Sequence, residues 1–249
     1  MRPDPTARPP RVLALWSPPR ARSTVFYRVM LERGDLMALH EPFCNLADYG
    51  ETEVGDRTVR TSAELIAAMW EAAGGPAPVF FKDTTDHRYP EVLADARFLR
   101  GVRHTFLIRR PAEIAASYTA LKPDMSVGEI GLELLHELYQ AVLDSGGLPP
   151  VVVDSDDLVT DPDRTLAAYC AAVGLPHRAE ALRWQATARP EWRRTDRWHQ
   201  RVNGSTGIEA TSTEYARTAD NDPVLARLAA HHEPYYRRLW EERLTLDGR

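Results

Sequence analysis

Arg11-Val-Leu-Ala-Leu-Trp16 and the residues that follow it, Ser17-Pro-Pro-Arg-Ala-Arg-Ser-Thr24, decide how the chain folds. An unbroken apolar run from Val12 to Trp16 reads as a strand buried on both faces, the habit of parallel sheets. Pro18 and Pro19 then stop any regular ladder. Ser23 is placed to N-cap a helix running through Arg33, and Gly34 to end it. Strand, loop and helix N-terminus in that order form the front of a βαβ unit.

The same alternation continues outward. Leu36 to Leu39, Val79 to Phe81, His104 to Ile108 and Val151 to Val153 read as further strands. Between them, Thr61 and Glu64 make a capping box for a helix reaching Gly74, and Pro111 suits the first position of a helix through Ser117 and Tyr118. Ser126 and Glu129 make a second box, behind which Ile130, Leu134, Leu135, Leu138 and Val142 keep helical spacing. Asp161-Pro162 opens a helix with Leu166, Cys170 and Val173 inward and Gly174 at its end. Asp222-Pro223 opens a last one, which Pro234 should interrupt. The polar stretch Cys44–Arg60 predicts a long loop or lid, and Arg189–Thr213 an irregular segment. Strands alternating with helices predict an α/β fold: a single domain, residues 1–249, with a central parallel sheet flanked by helices. Residues 1–10 read as a flexible Pro-rich tail.

Composition agrees. The chain has 249 residues, 43% of them hydrophobic, with a net charge of −5 and 2 cysteines. That supports one large core without staples and excludes disorder. No apolar run approaches the roughly 18 residues of a membrane span, and no secretory h-region is present. Cys44 and Cys170 form no disulfide framework, so a cytoplasmic location is expected. Slight acidity disfavours nucleic acid as a partner. Only Lys82 and Lys122 are lysines; every other Lys/Arg position is arginine.

Two turns can carry chemistry. Arg20, Ala21, Arg22, Ser23 and Thr24 lie at a helix N-terminus, where free N–H groups, hydroxyls and a guanidinium suit an anion; an ordinary capped helix is the competing reading. The loop lacks the glycines and lysine of a Walker A motif. Arg109 ends a strand at the carboxyl edge, where open α/β sheets bind ligands. Ser117 lies eight residues on, roughly 12 Å along a straight helix, so the two could grip one phosphate only if the chain bends back.

Together these segments resemble the nucleotide-dependent sulfotransferases, which take sulfuryl from 3′-phosphoadenosine 5′-phosphosulfate. Pro19-Arg-Ala-Arg-Ser-Thr24 fits the family's 5′-phosphosulfate loop. Arg109, Pro111 and Ser117 fit its 3′-phosphate motif, with Tyr118 following. Asp156-Asp-Leu158, Asp161-Pro162 and Gly174-Leu-Pro176 also match the family pattern. The resemblance implies a P-loop-like nucleotide-binding fold and transfer of sulfuryl to a hydroxyl of a small-molecule acceptor, leaving 3′,5′-adenosine bisphosphate. It implies Arg20, Ala21, Arg22, Ser23 and Thr24 on the 5′ side, Arg20 also stabilising the bridging oxygen, and Arg109 and Ser117 on the 3′-phosphate. Arg20 stands where the best-known members carry lysine, and Ser155 where many carry tyrosine. The family's late Arg-Lys-Gly loop is missing. In its region Arg201, Gly204, Ser205, Thr206 and Gly207 resemble the Ser-Thr-Gly loop of some bacterial members, within a stretch crowded by Arg189, Arg193, Arg194 and Arg197.

An acceptor hydroxyl needs a general base. Glu41 after the second strand and His87 after the third are the candidates, with Lys82 at a strand end to orient the sulfonate or the base. The histidines show no metal-binding spacing, so no metal is expected. Cys44–Arg60 and Ser126–Leu143 are the expected places for acceptor selection, and Trp70, Trp184, Trp192 and Trp198 are candidates for an apolar pocket. A homodimer stays open. The competing functions are an ATP-dependent P-loop-like kinase and a non-catalytic nucleotide-binding protein.

Overall fold

The computed structural model describes residues 10–209 and 214–246; the expected tail at residues 1–9 lies outside them. In chain order the strands are β1 (Val12–Ser17), β2 (Met37–His40), β3 (Thr52–Val54), β4 (Arg57–Val59), β5 (Val79–Thr84), β6 (Arg103–Ile108) and β7 (Val151–Asp154). The helices are α1 (Ser23–Glu32), α2 (Pro42–Tyr49), α3 (Ser62–Ala73), α4 (Pro90–Ala94), α5 (Ala96–Gly101), α6 (Pro111–Thr119), α7 (Leu132–Asp144), α8 (Ser155–Thr160), α9 (Pro162–Val173), α10 (Gln200–Asn203) and α11 (Pro223–Glu241).

A five-stranded parallel sheet runs in the order β2-β5-β1-β6-β7. The expected α/β architecture is therefore present, with β1 at its centre. Alternate residues of β1 feed two cores. Val12, Ala14 and Trp16 pack with α3, α5, α7 and α11, whereas Leu13 and Leu15 pack with α1 and α9. The chain leaves β1 towards β2 on one side and later crosses to β6 on the other. A crevice opens at such a switch, outside the carboxyl ends of the strands.

Local chemistry explains most elements. The Thr61–Glu64 capping box closes in both directions, Pro111 starts α6, and Asp161 and Gly174 bound α9. Other expectations change. Ser23 is the first residue of α1, not its cap; Arg22 occupies the cap in a left-handed conformation without a side-chain bond. The Cys44–Arg60 stretch is no loop, because buried Asp83 of β5 accepts the Phe43 and Cys44 N–H groups and so caps α2 from outside. The rest of that stretch turns back at Gly55 as the β3–β4 hairpin. The Ser126 box holds only a single 3-10 turn, and Gly131, at φ 76°, separates that turn from α7. Pro234 lies inside a continuous α11. His232 of α11 is fully buried and donates to the Val127 carbonyl at 2.8 Å.

Two predictions test this frame. Thr61→Ala should lower stability by about 1 kcal/mol and Tm by about 2–4 °C in a thermal melt, with ligand binding unchanged. His104 of β6 is fully buried and accepts the Trp16 indole N–H on Nδ1 at 3.0 Å. Burial pushes its pKa down to about 4, so the folded ring stays neutral after an unfolded one has charged. Its contribution is thus complete above about pH 6.5 and is lost progressively as pH falls towards 4. In denaturant titrations across that window, His104→Gln should remove up to about 1.4 kcal/mol per pH unit of slope. An unaltered slope would show that His104 does not carry it.

Candidate active site

A cavity of about 720 Å³ opens at the carboxyl edge of the sheet. Its walls include Arg20, Arg22, Ser23, Thr24, Glu41, Lys82, His87, Arg109, Ser117 and Arg201, residues scattered along the chain. Among the described residues, the non-glycine positions with positive φ are Arg20, Arg22 and Glu41. All three line this cavity. A left-handed residue of this kind costs about 1–2 kcal/mol, and such strain collects where function requires it.

The turn after β1 builds the centre of the site. Arg22 donates to the Ser155 carbonyl and hydroxyl, each at 3.2 Å, and pairs with Asp156 at 2.7 Å and Glu113 at 3.4 Å. These contacts offset the strain and clamp the turn to α6 and α8. With no side chain capping α1, its first N–H groups stay available where Ser23, Thr24 and Val25 border the cavity. Arg20 points elsewhere. Its Nε donates to the Ser117 hydroxyl at 3.2 Å, and a terminal nitrogen donates to the Trp198 carbonyl at 2.9 Å.

Arg109 reaches back to the same turn, donating to the Arg20 carbonyl at 2.7 Å while Glu113 holds its other edge at 2.9 Å. Arg20 therefore bridges Arg109 and Ser117, so α6 need not bend for both to meet one ligand. Burial pushes the pKa of both guanidinium groups down, and the Arg109 charge lowers that of Arg20 further. Arg20 pairs with no carboxylate among the described residues. An anion placed here relieves that repulsion and supplies the missing counter-charge.

On the other side of β1, Glu41 follows β2 and Lys82 sits in β5. The buried Lys82 ammonium donates to the Glu41 carboxylate, and the His40 Nδ1 lies 3.7 Å from its other oxygen. Burial, with the Lys82 charge, holds the His40 pKa well below its usual value. His87 is further out, half-exposed, with its Nε2 3.0 Å from Asp48.

Other residues had no signature in the chain. His199 shares one proton contact with Thr24 at 2.9 Å and another with Thr195 at 3.0 Å, linking the β1 turn to the arginine-rich segment. Burial lowers its pKa to about 2. Asp86 also lines the cavity and was not singled out. Only its neighbourhood to His87 could have flagged it.

The structure leaves several expected residues outside the wall. Ala21 is fully buried beneath the turn. Gly204, Ser205, Thr206 and Gly207 do not line the cavity; they brace the segment around Trp184. Its indole donates to Ser205 at 3.2 Å, its backbone N–H donates to the Thr206 carbonyl at 3.1 Å, and Gly207 bridges Arg183. Of the crowded arginines, Arg194, Arg197 and Arg201 face the cavity, while Arg189 pairs with Glu191. Trp198 lines the wall, but Trp184 and Trp192 are buried in a core. Cys44, Asp48 and Tyr49 of α2 border the cavity; from Ser126–Leu143 only Glu129 does so among the described residues. His40, Glu41 and His199 place ligand atoms within 4.8 Å of one another, as do Cys44, Asp48 and His87. The first set could hold a metal only by displacing Lys82 from Glu41 and a hydroxyl from His199.

Comparison with known proteins places this geometry. The Arabidopsis thaliana branched-chain-amino-acid aminotransferase-like protein 1 is 30% identical over 223 residues, 84% of this chain and 38% of that protein. Protein 2 of the same name is 29% identical over 213 residues, 80% of this chain and 36% of its length. The chain thus spans well under half of these relatives. The sulfotransferase domain of the curacin biosynthetic pathway shares the fold at a TM-score of 0.54 and 13% identity, covering 91% of this chain and 99% of that one. A sulfotransferase from Alicyclobacillus acidocaldarius does so at 0.54 and 14%, covering 96% and 98%. A family profile, described as a sulfotransferase domain, matches residues 11–239, and the chain belongs to that family.

Proposed function

We propose that the chain transfers sulfuryl from 3′-phosphoadenosine 5′-phosphosulfate to a hydroxyl of a small-molecule acceptor. The observation that carries this reading is Arg20 joining the β1 turn to Arg109 and Ser117, because the nucleotide bears an anion at each of two separated positions. The α1 N-terminus with Ser23, Thr24 and Arg20 holds the 5′-phosphosulfate, and Arg109 with Ser117 holds the 3′-phosphate. Arg201 adds positive charge from the facing segment. ATP, lacking a 3′-phosphate, leaves the Arg109 side unused.

The acceptor hydroxyl loses its proton to Glu41 as its oxygen forms a bond to sulfur. The bond from sulfur to the 5′-phosphate oxygen breaks, and the electron pair stays on that oxygen beside Arg20 and the helix N-terminus. The products are a sulfate ester, 3′,5′-adenosine bisphosphate and a proton. Glu41 is preferred to His87 as base because it is buried in the cavity wall beside Lys82, whereas His87 is half-exposed and paired with Asp48. Lys82 orients the carboxylate and neutralises it before the acceptor enters.

Calorimetry with 3′,5′-adenosine bisphosphate in the absence of magnesium should show binding, and Arg109→Ala should weaken it about 10- to 100-fold. Binding of Mg-ATP alone would favour the kinase instead. Glu41→Gln should lower turnover about 10²- to 10⁴-fold with bisphosphate affinity retained, while His87→Asn stays within a few-fold of the parent. The reverse order would make His87 the base.

A further inference from the structure

His199 stands between the α1 N-terminus and the arginine-rich segment. Its Nδ1 lies 2.9 Å from the Thr24 hydroxyl, and its Nε2 lies 3.0 Å from the hydroxyl of Thr195. Thr195 sits at a break in its segment, where the backbone leaves helical geometry (φ −117°, ψ 21°). Its hydroxyl also reaches the Trp192 carbonyl at 3.3 Å. Thr24, at the other end of this line, is half-buried and borders the cavity beside Ser23, at the position given above to the 5′-phosphosulfate. One row of hydrogen-bonding groups therefore runs from the cavity, through the ring, to a backbone carbonyl of the facing segment.

A neutral imidazole carries a single N–H, so one ring nitrogen donates and the other accepts. Burial, helped by His40, Lys82 and Arg20, outweighs the pull of Glu41 and keeps His199 neutral. Two arrangements then satisfy the row. In the first, Thr24 donates to Nδ1, Nε2–H donates to Thr195, and Thr195 donates to the Trp192 carbonyl. Every proton is used inside the protein. In the second, Nδ1–H donates to Thr24, Thr195 donates to Nε2, and the Thr24 proton turns towards the cavity. The second gives up the Trp192 bond, the longest of the three contacts, and gains whatever acceptor stands before Thr24. An anion there tips the balance, because a hydrogen bond to a charged group is roughly twice as strong as a neutral one.

Resting on the sulfuryl-transfer reading, we propose that His199 is a positioning residue for Thr24, and that an anion at the α1 N-terminus reverses the direction of this hydrogen-bonded row. In the free protein His199 holds its proton on Nε2 and keeps the Thr24 hydroxyl turned inwards. With the 5′-phosphosulfate in place the proton is on Nδ1, and Thr24 donates to the anion. The proton count does not change: one proton leaves Nε2 and one arrives on Nδ1 by exchange with water, while the two hydroxyls rotate. Thr195 turns from the backbone of its own segment to the ring, so occupancy of the β1 turn is passed to the segment that carries Arg194, Arg197 and Arg201.

The test is nitrogen NMR on the full chain with its histidine ring nitrogens labelled, recorded free and saturated with 3′,5′-adenosine bisphosphate, whose 5′-phosphate occupies the same position. Protonated and bare ring nitrogens resonate far apart, and loss of a signal in His199→Asn assigns it. The His199 proton should be on Nε2 in the free protein and on Nδ1 in the complex. Thr24→Val should hold it on Nε2 in both and weaken bisphosphate binding about tenfold, whereas Thr24→Ser restores the change and the affinity. The proposal is overturned if the tautomer is the same with and without ligand, if the ring carries both protons in either state, or if the change survives Thr24→Val. A histidine that only braces the fold keeps one tautomer throughout. Should calorimetry show that the bisphosphate does not bind, inorganic phosphate takes its place as probe. A tautomer change with phosphate then leaves the role of His199 standing while the sulfuryl-transfer reading falls, and no change overturns the role as well.

Discussion

Arg20 sits in a left-handed turn at the carboxyl end of the central strand, and its two ends hold different parts of the molecule together. Its backbone carbonyl accepts from Arg109, and its guanidinium donates to Ser117 and to the Trp198 carbonyl. β1, α6 and the arginine-rich segment therefore converge on one residue. Three buried or half-buried positive groups, Arg20, Arg22 and Arg109, lie close together; beyond the effect of burial, the Arg109 charge lowers the pKa of Arg20 and the Arg22 charge that of Arg109. Such an arrangement is unfavourable by itself. It is held in place by Glu113 and Asp156 on the far side, and in the proposed function an anion would complete it on the near side.

Strain and its compensation follow the same pattern at Glu41. Its left-handed backbone ends β2 and turns directly into α2, which leaves the carboxylate beside Lys82 rather than in solvent. Asp83, one residue along the strand from Lys82, caps that helix through the Phe43 and Cys44 N–H groups. Adjacent residues of β5 point to opposite faces, so one strand both orients the candidate base and fixes the helix that carries it. Burial raises the Asp83 pKa to about 8 against those N–H donors. The same burial that isolates the site from water thus also makes its acids and histidines sensitive to their partners. His40 and His199 are both held neutral by it.

Charge separates along the cavity because the strand order separates it. β6 lies on one side of β1, β5 and then β2 on the other. β6 is followed directly by Arg109 and Arg110, whereas Glu41 follows β2 and Asp86 lies just past β5. In the proposed reaction, the nucleotide and the acceptor would meet over the β1 turn, which lies between the two sides.

Much of this was legible in the chain. The apolar run Val12–Trp16, the Thr61–Glu64 box, Pro111 at the head of α6 and Gly174 at the end of α9 act through neighbours a few residues away, so pattern and cap chemistry suffice to place them. The alternation of strands and helices and the residue types in the two turns likewise pointed to an anion-binding edge. The α2 helix was illegible because its cap comes from Asp83 on another strand, and the burial of His232 because its partner, Val127, lies 105 residues away. The same holds for the site. Ser117 meets Arg20 across 97 residues, Lys82 meets Glu41 across 41, and His199 meets Thr24 across 175. Local sequence determined which elements form and which residues can carry charge. Only the packed sheet decided which charges face one another, because pairing and burial are properties of atoms brought together in space.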